Sequence, residues 1–322
     1  MSHFTLNTGY KIPSVGMGCW QAGIGDYGAK NYILEEALLQ AIEVGYRHFN
    51  TTLGFQNEQI SGIPRSEFFI TCKLESFLMI KSDRIDSLTD RFQTSLNNLG
   101  FDIDLYLLHW LQSFVTGVHD ADPEPHLVEA WKEIETLLVT GKVESIGVSN
   151  FSPKTLDILL KEVTVVPSVN QVELHPFLPD NALLEYCNSK GIHLSAYCPI
   201  VGCLQLSRKV LTALEQPNAD LTIKTIADCV GCTPAQVTLS CGVIRGTSVL
   251  PRTVTPSRMK ENITLVNLTP EDGEAIDGIH KNDDTKKQGH NGRMSYTPWS
   301  GTTAFGWTLD QLGWDVGCAK KF

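Results

Sequence analysis

Short apolar runs rich in β-branched and aromatic residues alternate with amphipathic stretches from one end of the chain to the other, the sequence sign of parallel strand–helix–strand units. The runs that predict strands lie at 14–17, 47–50, 68–73, 105–109, 145–148, 169–173, 193–197 and 248–250. Between them, helical patterns cover 31–44, 85–99, 126–140, 153–162, 180–190 and 222–230, several closed by Gly45, Gly100, Gly141 or Gly191 as C-terminal caps. Eight strands joined by crossovers imply an α/β fold of the (β/α)8 TIM barrel type. The opening FTLNTGYKIP predicts a hairpin turning at Asn7-Thr8-Gly9, placed to plug the barrel floor.

Two segments break the regular alternation. Only residues 51–67 separate the second strand from the third, close to the dozen or so that a parallel connection needs, so a full helix is not expected there. Beyond Asn282 the chain is rich in Gly and polar residues yet carries Trp299, Phe305, Trp307 and Trp314. Trp contributes large buried area, so this stretch reads as a long C-terminal loop folded across the barrel mouth, with simple surface packing as the alternative. The expected organisation is one barrel domain over 1–322, with 281–322 as its C-terminal substrate loop.

Composition narrows the class. The chain has 322 residues, 42% hydrophobic and 19% charged, enough to bury a core and too apolar for wholesale disorder. Its net charge of −10 opposes non-specific binding to phosphate backbones, so nucleic acid is not an expected partner. The N-terminus lacks the basic start and apolar run of a secretory signal. No segment approaches the roughly 18 apolar residues that span a bilayer, so no membrane partner is expected and the cytoplasm is the expected location. Nine Cys, scattered and odd in number, fit reduced thiols better than a disulfide framework. Cys229 and Cys232 form a lone C-x-x-C, read as ordinary packing; no metal site is expected. Nothing in the composition fixes an oligomeric state.

In such a barrel the chemistry sits at the carboxyl ends of the strands. The polar residues there are Asn50, Lys73, His109, Ser149, Asn150, Gln171 and Tyr197. Each alone is weak evidence, but a ring of Lys, His, Asn, Gln and Tyr on one rim suits a carbonyl, an amide and an aromatic ring together, as a nicotinamide site requires. After the last strand, SVLPRTVTPSRMKEN places Arg252, Thr253 and Arg258 beside a helix starting near Pro256-Ser257. Guanidinium groups and a hydroxyl at a helix N-terminus suit a phosphate monoester; a basic helix cap is the plainer reading. No Gly-x-Gly-x-x-Gly follows a strand, so a Rossmann mode of dinucleotide binding is unsupported.

Several separated segments together resemble the aldo-keto reductases, particularly their small fungal-type members, over nearly the whole chain. LNTGYKIPSVGMGCWQ is similar to that family's opening hairpin and first strand; DLYLLHW, GKVESIGVSNF, VNQVELHP and LSAYCPI resemble its fourth to seventh strands; LPRTVTPSRMKEN resembles its 2′-phosphate clamp. The resemblance implies that Ser149, Asn150 and Gln171 hold a nicotinamide carboxamide and that Tyr197 stacks on the ring. It implies that Arg252, Thr253, Arg258, Glu261 and Asn262 select NADP(H), with Arg252 where the family often has Lys. Trp20 is expected to serve both cofactor and substrate, and Trp110 and Trp299 to line an aromatic pocket, with Phe114 nearby.

The chain departs from the family at two catalytic positions. Family members reduce carbonyls with a proton-donating Tyr, a Lys and an Asp that tune it, and a His that orients the carbonyl. The signature segment reads NTTLGFQNE here, so Asn50 stands at the Asp position and Phe55 at the Tyr position, while Lys73 and His109 match. Phe has no ionisable hydrogen, and losing such a donor ordinarily costs about 10²–10⁴ in rate. A neutral Asn50 also withdraws the carboxylate that favours a charged Lys73, which lowers the expected Lys73 pKa. Three readings follow: an NADP(H)-dependent oxidoreductase acting on a small carbonyl or alcohol, with the proton from His109, Lys73 or water; a redox-neutral lyase, isomerase or cyclase in which Lys73 is base or nucleophile and His109 its proton partner; and a non-catalytic NADP(H)-binding protein. Against an active part for Lys73 stands the plainer reading that it is an inert occupant of the old position, bonded to backbone.

Overall fold

The computed structural model describes residues 2–19, 32–51, 63–74, 88–111, 124–200, 220–281, 303–304 and 307–314. A hairpin opens the chain, its strands β1 (His3–Thr5) and β2 (Lys11–Pro13) pairing antiparallel around a turn at Gly9. Eight parallel strands follow in strictly sequential order: β3 (Met17–Gly18), β4 (His48–Asn50), β5 (Phe69–Leu74), β6 (Ile103–Leu108), β7 (Val143–Ser149), β8 (Val169–Glu173), β9 (His193–Tyr197) and β10 (Ser248–Leu250). The first and last strands then meet. A parallel bridge joins Val15 to Val249, with Val249 N donating to Ser14 O at 2.9 Å and Gly16 N to Val249 O at 2.9 Å. The eight-stranded sheet thereby closes into a barrel, its first and last strands meeting at this bridge.

Helices cover the outside: α1 (Tyr32–Val44), α2 (Leu88–Leu99), α3 (Glu124–Leu137), α4 (Pro153–Leu160), α5 (Asn181–Ser189), α6 (Leu221–Val230), α7 (Pro234–Ile244), α8 (Pro256–Ile263) and α9 (Pro270–Gly278). The predicted helices all form, with ends shifted by a few residues. The additions are α7, α9 and a short helix at Leu309–Leu312. Helix α7, PAQVTLSCGVI, mixes small and apolar residues on all sides because it is enclosed between neighbouring elements, so it offers no amphipathic stripe to read. Its start was legible all the same: Thr233 accepts from Gln236 N while Gln236 reaches back to Thr233 N, a capping box with Pro at the first helical position. Thr269 and Asp272 start α9 in the same way. Of the tight second crossover, 52–62 lies outside the described residues; Arg65–Glu67 forms a single 3-10 turn.

Alternation along the strands sorts the barrel interior into layers. At the floor, Leu6 and Ile12 of the hairpin pack with Phe69, Leu105, Leu107 and Val169, with Phe4 beside them. The hairpin is fastened there by Thr8 Oγ with Ser145 Oγ at 2.9 Å and by Asn7 Nδ2 to Pro167 O at 3.2 Å. Beside this plug, His48 Nε2 lies 3.0 Å from Thr71 Oγ1 and His193 Nε2 lies 3.1 Å from Ser248 Oγ. Gly16 makes room for the first of these rings, since a Cβ there would sit 2.5 Å from His48 Nδ1.

Among the C-terminal residues, Trp307 is fully buried and joins the main core with Leu312 and Trp314. The short helix α10 (Leu309–Leu312) leads to a contact in which Ser152 Oγ donates to Leu312 O at 2.6 Å and Lys154 Nζ to Asp310 O at 2.9 Å. Among the described residues no helix is long and apolar enough to cross a membrane. The expectation of reduced cysteines holds for Cys19, Cys72, Cys187, Cys229, Cys232 and Cys241, which are free, and fails at Cys198, which is disulfide-bonded. An odd count says only that not every thiol is paired; it does not forbid a single pair.

Candidate active site

The carboxyl ends of the strands bring seven of the expected residues to one rim. Asn50 ends β4, Lys73 lies near the end of β5, His109 follows β6, Ser149 ends β7, Asn150 follows it, Gln171 lies in β8 and Tyr197 ends β9. The backbone at Asn150 is left-handed, φ 68°, which Asn tolerates better than most residues. It is held by its own N–H donating to Gln171 O at 2.9 Å.

Side chains on this rim form one hydrogen-bonded network. Lys73 is buried, and its Nζ donates to Asn50 Oδ1 at 2.8 Å. The amides of Asn50 and Gln171 face each other reciprocally: Asn50 Nδ2 donates to Gln171 Oε1 at 3.2 Å and Gln171 Nε2 to Asn50 Oδ1 at 3.2 Å. On the neighbouring strands, Ser149 Oγ donates to Gln171 O at 2.8 Å, Asn150 Nδ2 to His109 O at 3.1 Å, and Tyr197 Oη to Asn150 Oδ1 at 2.8 Å.

His109 is held in its neutral form. Burial pushes its pKa well below the ordinary 6.5, and the nearby Lys73 ammonium pushes in the same direction. Its Nδ1 is shielded from solvent with no hydrogen-bond partner among the described residues. The Trp110 ring is half-buried, 5.9 Å from the His109 ring and tilted by 37°. Cys19, just beyond β3, is pushed up to about 12 by burial, against the opposing pull of Lys73 and Arg252, so it stays a thiol and offers no nucleophile.

The segment after β10 supplies the second half of the site. Arg252 and Arg258 are exposed and Thr253 is half-buried. Gly18 of β3 lies against this loop, a Cβ there being 3.1 Å from Leu250 O. Thr253 Oγ1 accepts from Thr255 N at 3.1 Å, and Thr255 begins α8 with no side-chain cap of its own. The first turn of α8 thus carries Pro256 and the exposed Arg258 with backbone N–H groups pointing outward. Glu261 is half-buried and Asn262 is buried, on the part of α8 turned away from solvent. Of the remaining expected residues, Trp20, Phe55, Phe114 and Trp299 lie outside the described residues.

The sequence reading passed over Glu173. It ends β8 two positions beyond Gln171, is 3% exposed, and has Oε1 3.5 Å from Nε2 of the buried His175. A carboxylate buried in a strand is costly unless paired, and the E-x-H spacing was the signal for its partner.

The fold and rim are those of a (β/α)8 barrel with polar side chains gathered at the carboxyl ends of its strands, and comparison with known proteins places the chain in a family. The Aldo/keto reductase family model matches residues 14–281, and the chain belongs to that family. It is 34% identical over 319 residues to a D-galacturonate reductase of Hypocrea jecorina, covering 92% of this chain and 95% of that one. A glycerol 2-dehydrogenase (NADP(+)) of Saccharomyces cerevisiae is 34% identical, covering 89% and 93%. Among solved structures, an aldo/keto reductase from Brucella melitensis superposes with a TM-score of 0.70 at 31% identity, covering 86% of this chain and 97% of that chain.

Proposed function

We propose that this chain is an NADP(H)-binding oxidoreductase acting on the carbonyl or alcohol of a small molecule, with Asn50 and Phe55 at the family's Asp and Tyr positions. The observation that carries the reading is the single network joining Lys73, Asn50, Gln171, Ser149, Asn150 and Tyr197 at one rim, with His109 against it. Asn150, Gln171 and Ser149 offer amide and hydroxyl groups to a carboxamide, and Tyr197 an aromatic face. Arg252, Thr253, Arg258, Glu261 and Asn262, with the first turn of α8, offer complements to a 2′-phosphate nucleotide. The bound nicotinamide would supply or accept the hydride.

The protein's own part is orientation and proton supply. Neutral His109 can donate one N–H to a substrate oxygen and fix its direction. Because its protonated form is so disfavoured, it is no reservoir of protons at neutral pH. With Phe55 unable to donate, the proton is assigned to Lys73 Nζ, which is buried at the rim and held in place by Asn50. Trp110, Trp20 and Trp299 are assigned to the substrate pocket. We read 1–322 as one barrel domain of cytoplasmic location. The residues after 281 are read as a substrate loop, which the docking of Trp307 and of Leu312 against Ser152 supports.

A second reading rests on one contact. Lys73 donates to a neutral amide oxygen where the family has a carboxylate, which suits an amine that acts as base or nucleophile in lyase, isomerase or cyclase chemistry. Purified protein incubated with carbonyl substrates and NADPH separates the readings. NADPH consumption matched to reduced product supports the oxidoreductase, with Lys73→Met lowering its rate by about 10²–10⁴. A product at unchanged redox level without consumption supports the second reading, and NADPH binding with no product over a broad panel supports a non-catalytic binder. Arg252→Ala with Arg258→Ala should weaken NADPH about 10- to 100-fold while leaving NADH nearly unchanged; equal losses for both would remove the phosphate assignment.

A further inference from the structure

The reciprocal pairing of Asn50 and Gln171 has a chemical consequence for whatever rests on Gln171. A Lys ammonium only donates, so Lys73 Nζ at 2.8 Å forces the Oδ1 end of Asn50 toward itself. Nδ2 then faces Gln171 and donates to its Oε1 at 3.2 Å, while Gln171 Nε2 completes the pair. A carboxylate at position 50 has no donor. It would draw the Gln171 NH2 and repel Oε1, turning that oxygen toward the cavity. Other acceptors at this rim are engaged in the same inward way: Asn150 Oδ1 takes the Tyr197 hydroxyl, and Gln171 O takes both Ser149 Oγ and Asn150 N.

We propose that Asn50 is a positioning residue that fixes the orientation of the Gln171 amide, so that the site discriminates weakly for a hydrogen-bond-donating amide on the nicotinamide ring and accepts dinucleotides carrying an acetyl group in its place. The proposal rests on the cofactor reading above. Its readout is binding, independent of turnover.

The experiment is a fluorescence titration of the full chain with oxidised NADP and with its 3-acetylpyridine analogue, for wild type, Asn50→Asp, Gln171→Leu and the double variant. Wild type should bind the two dinucleotides within about threefold of each other. Asn50→Asp should raise the preference for the carboxamide form by about three- to tenfold, the equivalent of one hydrogen bond. The gain should vanish in the double variant, because Asn50 acts through Gln171. An unchanged ratio in Asn50→Asp, or a gain that survives Gln171→Leu, overturns the inference and leaves the cofactor reading standing. Failure of wild type to bind either dinucleotide overturns the cofactor reading, and the inference with it. Should Asn50→Asp not fold, Gln171→Leu alone is read by the same ratio, which should stay within the wild-type range because Asn50 already engages Oε1; a marked loss of carboxamide preference overturns the inference.

Discussion

The two ends of the barrel interior are built from the same strands to opposite specifications. At the floor, polar groups are few, neutral and paired with hydroxyls: His48 with Thr71 and His193 with Ser248, beside a plug of Leu6, Ile12, Phe69, Leu105 and Val169. At the mouth, a few residues further along each strand, the polar groups are amides, a hydroxyl network and a buried ammonium, with two exposed guanidinium groups at the edge. The floor is a sealed core that happens to lie inside a sheet. The mouth concentrates donors and positive charge in a chain whose net charge is −10. Stability and ligand recognition are therefore separable by position along a strand, and substitutions should divide accordingly.

The largest expected effect is at the floor. Ile12 is completely buried in the plug, so Ile12→Ala should lower unfolding free energy by about 2–5 kcal/mol in urea denaturation, while NADPH affinity of the folded fraction stays within twofold. A comparable loss of affinity would show that floor and mouth are coupled. Next in size is acid. Burial lowers the His48 pKa to about 3 and that of His193 to about 4, against 6.5 in an exposed imidazole. The unfolded chain takes up these protons first, so the stabilisation is complete above about pH 6.5 and is lost as pH falls toward the folded values. Each histidine should contribute about 1–2 kcal/mol of destabilisation between pH 7 and pH 5. His48→Gln, measured by denaturation at both pH values, should flatten part of that slope; an unaltered slope would place the acid sensitivity elsewhere. The smallest effect belongs to the mouth. Tyr197→Phe removes one hydrogen bond to Asn150 Oδ1 and should cost about 1 kcal/mol or less in stability, with a measurable change in dinucleotide affinity. A change in stability alone would confine Tyr197 to a structural part.

How much of this was readable in the sequence follows the same division. Strands with β-branched or apolar runs announced themselves, and seven rim residues, from Asn50 to Tyr197, were located because strand ends follow directly from strands. Helix α7 was passed over because enclosure on all sides erases its amphipathic period, although the T-P-x-Q start was visible. Glu173 was passed over although its partner His175 stands only two positions on in the sequence. Periodicity has nothing to say about side-chain partners across the barrel. The reciprocal amide pair joins residues 121 positions apart, and no local pattern could have shown it. Cys198 illustrates a further gap, since pairing of thiols depends on loop paths that composition does not encode.

One atom near the rim ties distant parts of the chain into a common mechanical fate. The Ser152 hydroxyl receives Thr155 N at 3.2 Å to start α4, and the same oxygen donates to Leu312 O at 2.6 Å. Two residues upstream is Asn150. The segment around Leu312 is thereby fastened to the first turn of α4, two residues from Asn150 on the rim. The seating of that segment and the start of the helix beside the pocket therefore share one hydroxyl, with Lys154 as a second tie.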